Sequence, residues 1–236
     1  MKRKLNILGI IPARGGSKGI KKKNLSNLNG KPLIEYTIIE SLKSKLITDL
    51  IVSSDDREIL KTSERLGIIS TIVRPKKLSL DKSPSFPVIL HALNYMQKKE
   101  KKIYDYIVML QPTAPLRKRN DIDNSLKKLI YSNSDSIVSV VDVGAYHPLR
   151  MKRIIGVNRL INLVNNKSED MRPRQDLPPV YIRNGAIYAI KSKVLKKEKS
   201  LVGKRCIAYK MPKSRSVNID EPLDLITAKY YLKNSK

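Results

Sequence analysis

A chain of 236 residues, 41% of them apolar, can bury the core of one substantial domain and is too hydrophobic to be disordered. With no Trp, one Phe and eleven Tyr, that core must be built from Ile, Leu and Val, as in a buried parallel sheet. The formal net charge of +27 fits a nucleic-acid binder, an enzyme that draws in anionic substrates, or a lysine-rich surface of little functional meaning. The lysines are scattered, with short runs at 21–23, 98–102 and 196–199, so the last reading is preferred and charge alone excludes none of the three.

In chain order, 7–11 reads as a buried strand running into a loop from Pro12 to Gly19. That apolar run is too short for a signal-peptide core or a membrane span, and no later segment is long enough either. A soluble, cytoplasmic protein with no membrane partner is expected. A helix over 32–42 follows, with Pro32 placed to open it. Then come a strand at 49–53, a helix at 56–66 ending at Gly67, a strand at 68–73 and a helix at 84–99. A strand at 106–110, a helix at 121–131 and a strand at 136–141 complete the first part. Strands separated by helices predict an α/β fold with a doubly wound, mostly parallel sheet. Residues 144–180 change character: Pro, Arg and Asn with short apolar pieces and no clear helix. A stretch of that length argues for an inserted structure or a partner contact. Strands at 181–190 and 205–211 and a helix at 222–232 close a single domain spanning 1–236.

In such a sheet, ligands gather beyond the carboxyl ends of the strands. Those ends carry Arg14 with Gly15, Gly16, Ser17 and Lys18, then Ser54 with Asp55, Arg74, Gln111 with Thr113, and Asn218 with Asp220. The loop ARGGSKG offers backbone N–H groups and cations that can hold a triphosphate, although it is not a Walker A sequence. A Gly-rich turn is also a common structural device, so the phosphate reading leans on Arg14 and Lys23 beside it.

Asn218 and Asp220 lie two apart in SVNID, so in an extended segment both oxygens face the same way and could share one ion. Mg²⁺ suits one or two carboxylates completed by phosphates and water. The competing reading makes Asp220 an N-cap ahead of Glu221 and Pro222, and the local sequence by itself favours it. His91 reads as a packed helix residue, and His147 has no neighbour that suggests a metal or a triad. Cys206, the only cysteine, cannot form an internal disulfide and is read as a small core residue.

Taken together, IIPARGGSKGIKKKNL, GKPLIEYTI, IVSSDD, Arg74-Pro75, LQPTAPLR, HPLR, RQDLPPVYIRNGAIY and SVNIDEPLDL occur in an order that resembles the CMP-sialic acid synthetases, the acylneuraminate cytidylyltransferases. The resemblance covers nearly the whole chain. It implies a Rossmann-like fold of the nucleotide-diphospho-sugar transferase type. It also implies joining of CMP from CTP to a sialic-acid-like nine-carbon 2-keto sugar acid, with Mg²⁺ as cofactor.

Carried over by position, it puts Arg14, Ser17, Lys18 and Lys23 at the CTP phosphates with Asn24 beside them, Ala13 at the nucleotide, and Arg74 and Ser85 at the cytidine. Arg14, Lys18 and Lys23 are the cations implied in catalysis. Gln111, Arg150, Arg174 and Tyr188 fall on the sugar-acid side, and Asp220 and Asn218 on the metal. Residues 142–182 correspond to an inserted dimerisation element, so the partners implied are CTP, the sugar acid and a second copy of the chain, with no nucleic acid.

The chain departs from the family where SVDID becomes SVNID, which removes one charge at Asn218, and at Ile182, where some members carry Arg. A basic nucleic-acid-binding protein on the same scaffold and an inactive relative are the alternatives.

Overall fold

A computed structural model describes residues 4–17, 19–164 and 170–234. The first strand, β1 (Ile7–Pro12), is buried along nearly its whole length and occupies the middle of the sheet. Its period of two sends Ile7 and Ile11 to one face and Leu8 and Ile10 to the other, and the two faces become two cores. The first core packs under α1 (Leu33–Leu42), α2 (Arg57–Arg65) and α4 (Arg119–Tyr131). The second packs under α3 (Ser85–Glu100) and α5 (Ser192–Glu198). Each Ile or Leu taken fully out of water contributes about 1.5–3 kcal/mol, so a sheet covered on both sides carries most of the stability.

The remaining strands are β2 (Asn27–Leu28) and β3 (Lys31–Pro32), a minimal hairpin, then β4 (Asp49–Ser54), β5 (Ser70–Val73), β6 (Tyr106–Met109) and β7 (Ser136–Asp142). After them come β8 (Lys152–Ile155), β9 (Arg159–Asn162), β10 (Tyr181–Lys191) and β11 (Cys206–Lys210). The main sheet runs β11-β7-β10-β6-β1-β4-β5. β1 lies parallel between β4 and β6, with Ile10 opposite both Ile51 and Met109. This is the α/β, mostly parallel sheet expected.

Local signals act where they should. Asp56 caps α2 by accepting from the N–H groups of Glu58 and Ile59. Gly67, at φ +95, lets the chain leave that helix, and β5 begins only at Ser70. Pro32 and Pro84 stand one residue ahead of α1 and α3.

Three features go beyond the sequence reading or differ from it. β10 runs antiparallel to both of its neighbours, and its register slips between Arg183 and Tyr188, leaving a bulge around Gly185 at φ +74. Residues 144–180 carry the hairpin β8–β9 and 3-10 turns at Pro148–Arg150 and Arg174–Asp176. Cys206 is exposed rather than in the core, because β11 is an edge strand whose alternate residues face solvent.

The chain closes with α6 (Pro222–Asn234), seated on a small third cluster that joins Leu28, Leu33, Leu116, Ile219 and Ala228. Among the described residues no helix is long and apolar enough to cross a membrane.

Candidate active site

The loop after β1 is held at both ends. Ala13, wholly buried, donates its N–H to the Ser53 carbonyl at 3.0 Å and so ties the loop's start to the end of β4. Further along, Gly15 N–H donates to Asp55 Oδ1 at 3.1 Å, Asn24 Nδ2 to the Arg14 carbonyl at 2.8 Å, and Lys23 N–H to Ser17 Oγ at 3.3 Å. Gly19 passes so close to the Asp220 carbonyl that any Cβ there would overlap it. Lys18 lies outside the described residues.

Two of the expected cations are already paired. Arg14 Nη1 donates to Asp81 Oδ1 at 2.7 Å. Lys23 Nζ donates to Asp220 Oδ1 at 2.9 Å and to the Ile219 carbonyl at 2.7 Å.

Arg74 is the third cation. It follows β5, donates from Nε and Nη2 to the Ser53 hydroxyl and carbonyl, and is almost fully buried. Burial lowers its pKa to about 10, Asp55 raises it and Arg14 lowers it further, so it remains charged at neutral pH.

Arg117 is fully buried. It donates from Nη1 to the carbonyls of Ala186 (2.7 Å) and Gln111 (3.3 Å), and from Nη2 to Thr37 Oγ1 (2.8 Å). It therefore fastens the turn after β6 to the β10 bulge. Asn184 holds the other side of the bulge, accepting at Oδ1 from Ser139 Oγ and Ala186 N–H. The bulge brings Gly185 against Gln111 Oε1 and Asn218 Oδ1, side-chain ends that a Cβ there would push aside.

These pieces enclose a cleft of about 560 Å³ at the carboxyl ends of the strands. Arg14, Ser17, Lys23 and Asn24 line it together with Arg74, Ser85, Leu78 and Val88. Gln111, Thr113, Asn218 and Asp220 complete the lining.

Tyr188 pairs across the sheet with Met109, which lines the cleft, and packs on the second core. Arg150 and Arg174 do not join the cleft within one chain. Arg150 donates to the Arg172 carbonyl, and Arg174 Nη2 lies 4.0 Å from Asp142 Oδ1, both on the inserted segment.

Asp220 does not act as the helix cap that the local sequence favoured. Its carboxylate accepts from Lys23 Nζ and from Asn218 Nδ2 at 2.7 Å. The N–H groups of Asp220 and Glu221 are taken instead by Asp224 Oδ2, from within the first turn. His147 is buried as a structural clip: its Nδ1 accepts from Leu149 N–H, which leaves Nε2 protonated to donate to the Pro178 carbonyl at 3.0 Å. His91 packs half-buried on α3, its pKa lowered by burial and then by Arg74 and Lys77. Asp81 and Arg117 escaped the sequence reading as site residues. The motif around Arg117 was visible, but its burial was not.

A cleft of this size at the carboxyl edge of such a sheet, lined by Arg14, Lys23 and Arg74 together with amide and hydroxyl groups, suits a nucleotide. Residues 8–222 match the family model described as cytidylyltransferase, and the chain belongs to that family. It is 32% identical over 226 residues to a pseudaminic acid cytidylyltransferase of Campylobacter jejuni, covering 96% of each chain. It is likewise 32% identical over 219 residues to an N-acylneuraminate cytidylyltransferase of Streptococcus agalactiae, covering 92% of this chain and 51% of that one. Among solved structures, a CMP:2-keto-3-deoxy-manno-octonic acid synthetase complexed with CTP superposes with a TM-score of 0.70 over 97% of this chain and 98% of that one, at 17% identity. The last likeness bears on the fold alone, which the two chains share.

Proposed function

We propose that this cytidylyltransferase uses CTP as donor and a sialic-acid-like nine-carbon 2-keto acid as acceptor, works as a homodimer and requires Mg²⁺. The observation that carries the reading is the meeting of Arg14, Lys23 and Arg74 with Asp220 around one cleft at the carboxyl ends of β1, β5 and the segment before α6. Similarity to enzymes named for pseudaminic and N-acylneuraminic acids supports the acceptor class.

The anomeric hydroxyl of the acid attacks the α-phosphorus of CTP. A new P–O bond forms, the bond to the β-phosphate oxygen breaks, and pyrophosphate leaves. Little covalent chemistry falls to the protein, so positioning and charge neutralisation dominate. Arg14 and Lys23 exchange their carboxylate partners for phosphate oxygens, while Arg74 and Ser85 take the cytidine. Gln111, beside Gly185, faces the acceptor. Arg150 and Arg174 would clamp the acid's carboxylate from a partner's inserted segment.

Mg²⁺ would be held by Asp220 together with phosphate oxygens and water, and it would neutralise charge on the phosphates. The exposed Asp220 carboxylate fits that role. Among the described residues no group of three or more His, Cys, Asp or Glu offers an all-protein site. The dimer reading draws on the exposed apolar residues Tyr146, Ile154, Val157, Leu160, Met171 and Ile182, on or beside the inserted segment.

The test is pyrophosphate release with Mg²⁺ across pseudaminic, sialic and legionaminic acids and across four nucleotides. Release with CTP and at least one of these acids is expected. Equal turnover with ATP, GTP or UTP, or no release with any of the acids, would overturn the reading.

A further inference from the structure

We propose that Asn218 is a positioning residue: its amide holds Asp220, and through Asp220 the Lys23 side of the phosphate loop, in place without a metal ion. The reading rests on the proposed nucleotide site but concerns how that site is assembled before any ligand arrives.

An ionised carboxylate only accepts hydrogen bonds, so the amide must turn its NH₂ toward Asp220, and Nδ2 stands 2.7 Å from Oδ2. The other Asp220 oxygen accepts from Lys23 Nζ, which also bonds the Ile219 carbonyl; the Lys23 side chain is only 12% exposed. Ile219 N–H in turn donates to the Thr113 carbonyl at 2.7 Å, and Gly19 abuts the Asp220 backbone. Residues 218–220 are therefore the joint between the phosphate loop, the turn that carries Gln111, and α6.

The same orientation sends Asn218 Oδ1 away from Asp220, into a buried position beside Gly185 where it has no hydrogen-bond partner among the described residues. It cannot share an ion with Asp220 unless the amide rotates and gives up its bond.

A carboxylate at this position would place an oxygen where Nδ2 now donates, setting two anions at hydrogen-bond distance. Only a cation or a proton could relieve that repulsion. With Asp at this position, assembly of the joint would depend on a metal. Here the amide supplies the positive end of a dipole instead.

The experiment is thermal melting of the nucleotide-free protein, wild type, Asn218→Asp and Asn218→Ala, each in EDTA and in millimolar Mg²⁺. Wild type should melt at the same temperature in both. Asn218→Asp should melt about 2–4 °C lower in EDTA and recover with Mg²⁺, while Asn218→Ala should be lowered without recovery. If Asn218→Asp does not fold in EDTA, recovery in Mg²⁺ and the Ala variant decide. A wild type stabilised by Mg²⁺ as strongly as the Asp variant would overturn the proposal, as would either variant matching wild type in EDTA. Because no substrate is present, failure here leaves the catalytic reading to its own assay.

Discussion

The carboxyl edge of the sheet and the segment 143–180 are both rich in arginine and in aliphatic residues, yet they are put together in opposite ways. At the sheet edge, Arg74 and Arg117 are buried with their guanidinium groups on protein oxygens, and burial lowers both pKa values to about 10. In the inserted segment, Arg150, Arg172 and Arg174 are exposed, and so are Ile154, Val157 and Leu160. The first region is largely closed within one chain: Arg74 and Arg117 reach protein oxygens, while Asn218 Oδ1 is without a partner among the described residues and Val73 and Leu80 stay exposed. The second leaves a run of aliphatic residues in water, a pattern that marks interaction surfaces. On the proposed function, nucleotide recognition would be self-contained, while the acceptor side would be completed by a second copy of the chain.

That contrast can be broken most sharply at Arg14. Arg14→Ala removes a half-exposed cation whose partner is the Asp81 carboxylate. Turnover should fall about 10²–10³-fold, as for loss of one charge-stabilising donor. Thermal stability should stay within about 0.5 kcal/mol, since an exposed pair contributes little. Normal turnover would make Arg14 a mere surface charge.

A second test attacks the largely closed region through its fold. Arg117→Leu strands the acceptors on Ala186, Gln111 and Thr37 in a dry interior, so unfolding by denaturant should show a loss of about 2–4 kcal/mol. A smaller loss, with turnover intact, would mean that the bulge holds its shape without this residue.

In the inserted segment the ordering reverses. Val157→Asp, at the 91% exposed hairpin turn, should leave single-chain stability within about 0.5 kcal/mol while light scattering shifts from dimer to monomer. Unchanged dimerisation would sever the hairpin from the interface.

The smallest effect concerns Asp170. Its pKa is lowered from 3.8 to about 2, first by the side-chain hydrogen bond from Arg172, against an opposing effect of burial and with help from the Arg172 backbone and from nearby charge. Because the folded value is depressed, the contribution is present above 3.8 and fades as pH falls through 2. An NMR titration should place the Asp170 midpoint near 2, and Arg172→Ala should return it toward the ordinary carboxylate value.

Much of the cleft could be read from the chain because its residues sit at the ends of strands, and strands announce themselves as apolar runs closed by turn residues. Arg14, Arg74 and Gln111 were placed by that logic before any contact was known. Asp81 was not, because a carboxylate in a polar stretch gives no sign of the arginine 67 residues away that it will meet. Cys206 was misplaced for a related reason: whether an apolar strand is central or at an edge depends on its neighbours, and β11 has only β7 beside it.

By itself the sequence determined the alternation of strands and helices, the Gly-rich loop after the first strand and the order of motifs that mark the family, since each depends on residues close together in the chain. The tertiary structure alone decided that β10 runs antiparallel and bulges at Gly185, that Arg117 braces the bulge from behind, and that Asp220 is held by Lys23 and Asn218 instead of capping α6. Each of those outcomes joins segments many residues apart. In each, a buried carbonyl, amide or charge must find a partner, and the fold rather than the local sequence settles which one is in reach.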